Sequence, residues 1–130
     1  MAGQRRIPWE DLFFDGAWGV PLLPEGAGTY AKPLEMVRLG PSASNKQPWR
    51  IVRSERSFHF FLLRSKGYRN VMTRLAQIDD MQRLDMGIAM CHFELTAREL
   101  GLTGKWGIVN HGLDFQDDQI EYSVSWVLTD

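Results

Sequence analysis

The sequence predicts an α+β layer in which an antiparallel sheet packs on one long buried helix. Two pairs of apolar runs are each interrupted by a polar turn, which is the pattern of a β-hairpin. A Pro-free run leading up to Gly101 has the length of a long helix, and a shorter helical run precedes the first hairpin. The order helix, hairpin, helix, hairpin is that of strands and helices segregated into two layers.

Residues 1–29 read as an irregular arm. Pro8-Trp9, Phe13-Phe14, Trp18, Pro21, Pro24 and Gly26-Ala27-Gly28 leave no helical or alternating period beyond one helical turn near residues 10–14. Apolar area left in water costs ~25 cal/mol per Å², so the aromatics of this arm are expected to cover its own core or a partner's. The domain proper is then residues 30–130.

Residues 30–39 read as a helix, with Thr29 as its N-cap, Pro33 tolerated in the first turn, and Gly40-Pro41 as the stop. Strands are expected at 49–53 and 58–63, around the polar turn Ser54-Glu55-Arg56-Ser57. Asp79-Asp80 stands where an N-cap would stand, so the long helix is expected from about Met81 to Leu100, with Gly101 as a left-handed C-terminal residue. Between Met86 and Cys91 every residue is small or apolar, which predicts protein on all sides of that stretch, in a core or a subunit interface. Strands follow at 105–110 and 119–128. The second should show Ile120, Tyr122, Val124, Trp126 and Leu128 on one face and Glu121, Ser123 and Ser125 on the other, after a turn at 114–118.

Composition excludes several classes. The 130 residues are 44% hydrophobic and 24% charged, values that fit neither a disordered chain nor a membrane span. Lys plus Arg number 15 against 16 Asp plus Glu, so no net basic field draws the chain to nucleic acid or to a membrane surface. A single cysteine, Cys91, argues for a reducing compartment, and the start lacks the apolar run of a signal peptide, so a cytoplasmic location is expected.

The densest polar segment is Gly40-Pro41-Ser42-Ala43-Ser44-Asn45-Lys46-Gln47-Pro48-Trp49. Two hydroxyls, two amides and the main-chain N–H groups beyond a helix end can bond a polar heterocycle, although the same residue types make up ordinary helix-to-strand turns. Their order narrows the choice. Pro-Ser-Ala-Ser-Asn-Lys-Gln-Pro-Trp resembles the flavin-contacting loop of the nitroreductase superfamily, with its Pro-Ser-Ser-x-Asn-x-Gln-Pro-Trp pattern. Downstream, Asp85-Met86-Gly87-Ile88-Ala89-Met90 through Ala97-Arg98-Glu99-Leu100-Gly101-Leu102-Thr103-Gly104-Lys105-Trp106 is similar to that family's central helix and the Gly-Leu-Gly turn after it, with Thr103 inserted. Leu34-Glu35-Met36-Val37-Arg38 and His92-Phe93-Glu94-Leu95 bring the resemblance closest to the C-terminal half of the tandem-repeat nitroreductases.

The resemblance implies a nitroreductase-like fold that is one half of a two-half assembly. It implies FMN as cofactor, NAD(P)H as electron donor and a small organic molecule as acceptor. Pro41, Ser42, Ala43, Asn45 and Gln47 are the implied cofactor-binding residues. Ala43 contributes only backbone, Lys46 is a lesser candidate, and Gln47 and Trp49 hold the loop and begin the first strand. The flavin carries the chemistry, so no catalytic side chain is implied. The family's phosphate clamp, an Arg-Arg-Ser-x-Arg motif, is not replaced by Arg5-Arg6, which Ile7-Pro8-Trp9 follows; both arginines are expected to be solvated linker residues. A homodimer or a separate N-terminal half-domain is the expected partner, and the alternative function is a cofactor-less structural or interaction half-domain.

Other candidates read as structural. His59, His92 and His111 share no metal-ligand spacing with Cys91, which is expected to be an inert buried thiol in the most apolar stretch. Asp79, Asp80 and Asp85 read as cap and first-turn residues, and Arg64, Lys66 and Arg69 as a solvated turn. Gly87 is where another helix could approach closely.

Overall fold

A computed structural model describes residues 6–41, 47–63, 72–113 and 119–129, with side chains of the long helix described from residue 83 onward. The sheet has five strands in the order β1 (Phe13–Asp15), β2 (Trp49–Ser54), β3 (Ser57–Leu63), β5 (Ile120–Leu128) and β4 (Gly104–Gly107). Helices α1 (Pro24–Ala27), α2 (Ala31–Leu39) and α3 (Met72–Glu99) complete the chain's α+β architecture.

Both expected hairpins form. β2 and β3 pair antiparallel from Trp49↔Leu62 to Ser54↔Ser57, and β4 and β5 pair antiparallel with Trp106 opposite Trp126. The sheet is nevertheless mixed, because β1 runs parallel to β2 with Phe13 opposite Ile51 and Phe14 opposite Val52. This corrects both the antiparallel sheet and the irregular arm. A three-residue strand among Gly and Pro has too short a pattern to show itself locally, and its pairing is made to a strand far along the chain. The arm does cover its own core: Leu12, Phe13 and Leu22 are buried, Trp9 packs edge-on against Phe13 at 4.7 Å, and the Trp9 indole N–H donates to the Leu22 carbonyl.

One face of the sheet carries the main core, where Phe13, Trp49, Ile51, Phe58, Phe60, Leu62 and Trp126 meet Leu34 and Val37 of α2 and Met86, Ala89, Phe93 and Ala97 of α3. Aromatic rings fill its centre. Phe93 lies 5.6 Å from Tyr30, 5.2 Å from Phe60 and 5.7 Å from Trp126, and the Trp126 indole donates to the Tyr30 hydroxyl at 3.0 Å. Gly104 lies flat under the Trp126 ring, and a Cβ there would overlap Cε2 and Nε1 of the indole.

The opposite face carries a smaller cluster of Phe14, Val52 and Phe61, with Trp18, Leu113, Ile120 and Tyr122 packed on it. The expected single apolar face of β5 is therefore corrected. The register shifts between Phe60↔Val124 and Phe61↔Tyr122, so Ser123 is an extra residue and the strand turns over at that point. Val124, Trp126 and Leu128 face the helices, whereas Ile120 and Tyr122 face the other side. Ser125 is fully buried instead of exposed.

The long helix starts at Met72, so Asp79 and Asp80 lie inside it and do not cap it. Its end is as expected: Gly101 has φ 76°, and the Leu102 N–H reaches back to the Ala97 carbonyl at 2.9 Å, satisfying an orphan acceptor of the last turn. Among the described residues, α3 from Arg83 onward is buried on one side only. Met86, Ala89, Phe93 and Ala97 face the core at spacings of three and four, while Leu84 (65% exposed), Cys91 and Leu95 (58% exposed) point away with the half-buried Ile88. The buried thiol expected at Cys91 is thus corrected to an exposed one, and a Cβ at Gly87 would meet open space. No helix among the described residues is long and apolar enough to cross a membrane.

Candidate functional site

The segment singled out in the sequence leaves α2 at Gly40 and returns to the sheet at Trp49. Ser42, Ala43, Asn45 and Lys46 lie outside the described residues, as do Arg64, Lys66 and Arg69 and the turn at 114–118. The two ends of the segment are placed. At the first, the Gly40 N–H bonds the Val37 carbonyl at 3.0 Å, and a Cβ on Gly40 would lie 3.2 Å from both that oxygen and the His92 ring, closer than side chains ordinarily pack. Pro41, next in the chain, is exposed.

The second end is built on Gln47, which is fully buried and holds φ 48°, a left-handed backbone conformation unusual for a residue with a side chain. Its side-chain carbonyl accepts the Ile7 N–H at 2.7 Å, and its amide donates to the Arg38 carbonyl at 3.0 Å. Its main-chain carbonyl accepts from Arg50 Nη1 at 2.7 Å, and the same guanidinium nitrogen bonds the Trp49 carbonyl at 2.7 Å. Gln47 thus ties the chain, where it returns to the sheet, to the arm and to the end of α2. The side chain lies on the protein's own groups.

The arm closes around this point. Arg38 Nε donates to the Ile7 carbonyl at 3.0 Å, while its Nη1 pairs with Glu35 at 3.1 Å. Arg6 donates to the Leu39 carbonyl at 3.4 Å and is half-buried, which corrects its reading as a solvated linker residue; Arg5 lies outside the described residues. A helix C-terminus draws a cation because its last carbonyls are unpaired acceptors.

Two donors beside the loop are left over. Trp49 is fully buried and its indole N–H has no hydrogen-bond partner among the described residues. Arg50 engages main-chain carbonyls through Nη1 alone, and burial lowers its pKa, partly offset by the charge of Asp11. Across the hairpin from Trp49, Leu62 lines a cavity of about 230 Å³ together with Arg83, Met86, Glu121, Tyr122 and Ser123. The cavity opens beside the β5 bulge, with Arg83 and Glu121 3.9 Å apart at its rim.

The second face of the sheet holds a polar cluster that sequence spacing did not disclose. His59 bonds Ser54 Oγ at 2.7 Å through Nε2 and Ser125 Oγ at 2.6 Å through Nδ1. The Tyr122 hydroxyl bonds Ser125 Oγ at 2.6 Å and accepts the Val109 N–H at 3.1 Å. His111 covers this chain, its ring 5.7 Å from His59 and 4.6 Å from Tyr122. Burial, and secondarily the neighbouring His111, push the His59 pKa down to about 4. Ser125 is fully buried and His59 only 2% exposed, so this network is an internal polar joint that substrate does not reach. Among the described residues no three His, Cys, Asp or Glu side chains gather as a metal site. Cross-strand order was the available signal: Val52, His59 and Ser125 stand side by side on three neighbouring strands.

No curated protein and no solved structure matches the chain. A family model described as "Putative TM nitroreductase" matches residues 26–97, a span that takes in α2, the loop, the β2–β3 hairpin and most of α3. With more than half of its length inside that match, and with the loop's two ends held as described, the chain belongs to this nitroreductase family.

Proposed function

We propose that the chain is the loop-bearing part of an FMN-dependent oxidoreductase of nitroreductase type, using NAD(P)H and a small organic acceptor. The observation that carries the reading is the segment 41–49, which lies inside the family match and is tied to the fold at Gly40 and at Gln47. The described residues fit the group: Trp49 has a buried, unpartnered N–H and Arg50 has guanidinium nitrogens beyond Nη1, both immediately after the loop. Pro41, Ser42, Ala43 and Asn45 would line the flavin, and Gln47 would keep their segment in place. FMN, when bound, supplies the redox chemistry by accepting a hydride and passing electrons to the acceptor. This chain's own part is to orient the ring and to present polar donors to it. The cavity beside Leu62 offers room of the size of a small acceptor.

The reading includes association with a second copy or with a separate N-terminal half-domain carrying an arginine clamp. The exposed Leu84, Cys91 and Leu95 with Ile88 on α3 support it. The test is FMN titration of the purified protein, alone and with an arginine-bearing half, followed by the Asn45→Ala variant. Binding that weakens in Asn45→Ala with the circular dichroism spectrum unchanged is expected. No binding under either condition would refute the flavin reading in favour of the structural half-domain.

A further inference from the structure

We infer that Arg38 and the N-terminal arm are positioning elements of the flavin site, acting through Gln47; the inference rests on the FMN reading above. The peptide of Ile7 is held from both sides. Its N–H donates to the Gln47 side chain at 2.7 Å, and its carbonyl accepts Arg38 Nε at 3.0 Å. Gln47 in turn donates to the Arg38 carbonyl at 3.0 Å, so three segments distant in sequence close one ring of hydrogen bonds: the arm, the end of α2 and the residue that ends the loop.

The arrangement is more than packing because of where it places Gln47. A non-glycine residue at φ 48° is held there by its surroundings, since the left-handed region disfavours a side chain. Two bonds from a fully buried side chain supply that hold, and neither comes from Gln47's sequence neighbours. Arg50 adds a third from the sheet side, onto the Gln47 carbonyl. The main-chain conformation at Gln47, where the chain returns to the sheet, is therefore set by groups from the arm, the end of α2 and β2. Arg38 is a positioning residue, and Ile7 acts through its main chain. The arm itself is anchored independently by β1 and by the Trp9 bond to Leu22, so it has a fixed place from which to act.

Coupling of this kind is reciprocal: if the arm favours flavin binding, flavin binding protects the arm by the same factor. The experiment is native-state amide exchange at Ile7 with and without FMN, paired with FMN titration, in the full chain and in Arg38→Ala and Gln47→Met. FMN is expected to slow exchange at Ile7 about tenfold in the parent protein, the scale of one charge-assisted hydrogen bond. Arg38→Ala should weaken FMN binding about tenfold and abolish the slowing, while amides of β2 and β3 keep their protection. Arg38 is partly exposed, so this variant decides the matter if Gln47→Met does not fold. Unchanged FMN affinity in Arg38→Ala, or exchange at Ile7 that ignores bound FMN, would overturn the coupling. Absence of FMN binding in the parent protein would overturn the flavin reading itself, and titration alone reveals it.

Discussion

Lowering the pH from 7 to 4 should destabilise this fold chiefly through His59, with the partly buried His111 acting in the same direction. Its two ring nitrogens are taken up by Ser54 and Ser125, its ring is 2% exposed, and His111 stands 5.7 Å away. Burial first, and His111 second, depress its pKa from 6.5 to about 4. In the unfolded chain the imidazole takes a proton near pH 6.5, whereas in the folded one it stays neutral until about pH 4. Stability is therefore whole above pH 6.5, falls as the pH drops through that window, and levels off below 4. Linkage gives about 1 kcal/mol lost by pH 5.5 and about 3 kcal/mol by pH 4. Urea unfolding of the parent chain and of His59→Gln at pH 7, 5.5 and 4 isolates the effect, since acid titration of the carboxylates is common to both. The difference between the two should grow by about 3 kcal/mol across the series. Parallel pH profiles, or an imidazole resonance of His59 titrating near 6.5, would refute the reasoning.

Other expectations follow from packing and from the open face of α3. Gly104→Ala places a methyl against the Trp126 indole and should cost about 1–3 kcal/mol, read as a lowered Tm, because neither the strand nor the buried indole can yield cheaply. Trp126→Phe removes the donor to the Tyr30 hydroxyl and leaves a void, and should cost about 2–4 kcal/mol by chemical denaturation. Leu95→Glu puts a charge on the exposed stripe; sedimentation should show weaker association than in the parent chain while the circular dichroism spectrum is unchanged. Association that is indifferent to this change would place the interface elsewhere.

The parts of the fold visible in the sequence are those whose signals are local. The β2–β3 turn at Glu55-Arg56, the stop of α2 at Gly40 and the left-handed Gly101 each act within a few residues, and each is where it was expected. Asp79-Asp80 misled because an N-cap and an interior acidic pair look alike when the preceding residues also suit a helix. β1 was hidden because three residues carry no period. The alternation of β5 from Ile120 to Trp126 was regular and still placed Ile120 and Tyr122 on the wrong face, since an inserted residue leaves no mark on the pattern. The buried Cys91 followed from a stretch, Met86 to Cys91, that is small or apolar throughout, whereas among the described residues Met86 and Ala89 meet the core and Cys91 is exposed. At the site, residue order disclosed the family, but the bonds from Gln47 to Ile7 and Arg38 join positions too far apart for any spacing rule to connect.

The extra residue at Ser123 reaches beyond the register of one strand. Taken into a regular ladder, with no bulge, Ser123 would make β5 what its sequence promises, a ribbon with Ile120, Tyr122, Val124, Trp126 and Leu128 on one side. Tyr122 would then swing toward the helices, and its hydroxyl would leave both Ser125 and the Val109 N–H, which helps to tether residues 108–113 to the sheet. The hollow beside Leu62, floored by the same turned-over stretch, would fill with the displaced ring. A single inserted serine thus lets one strand furnish two cores and leaves, in the seam between them, the space that a small molecule could enter.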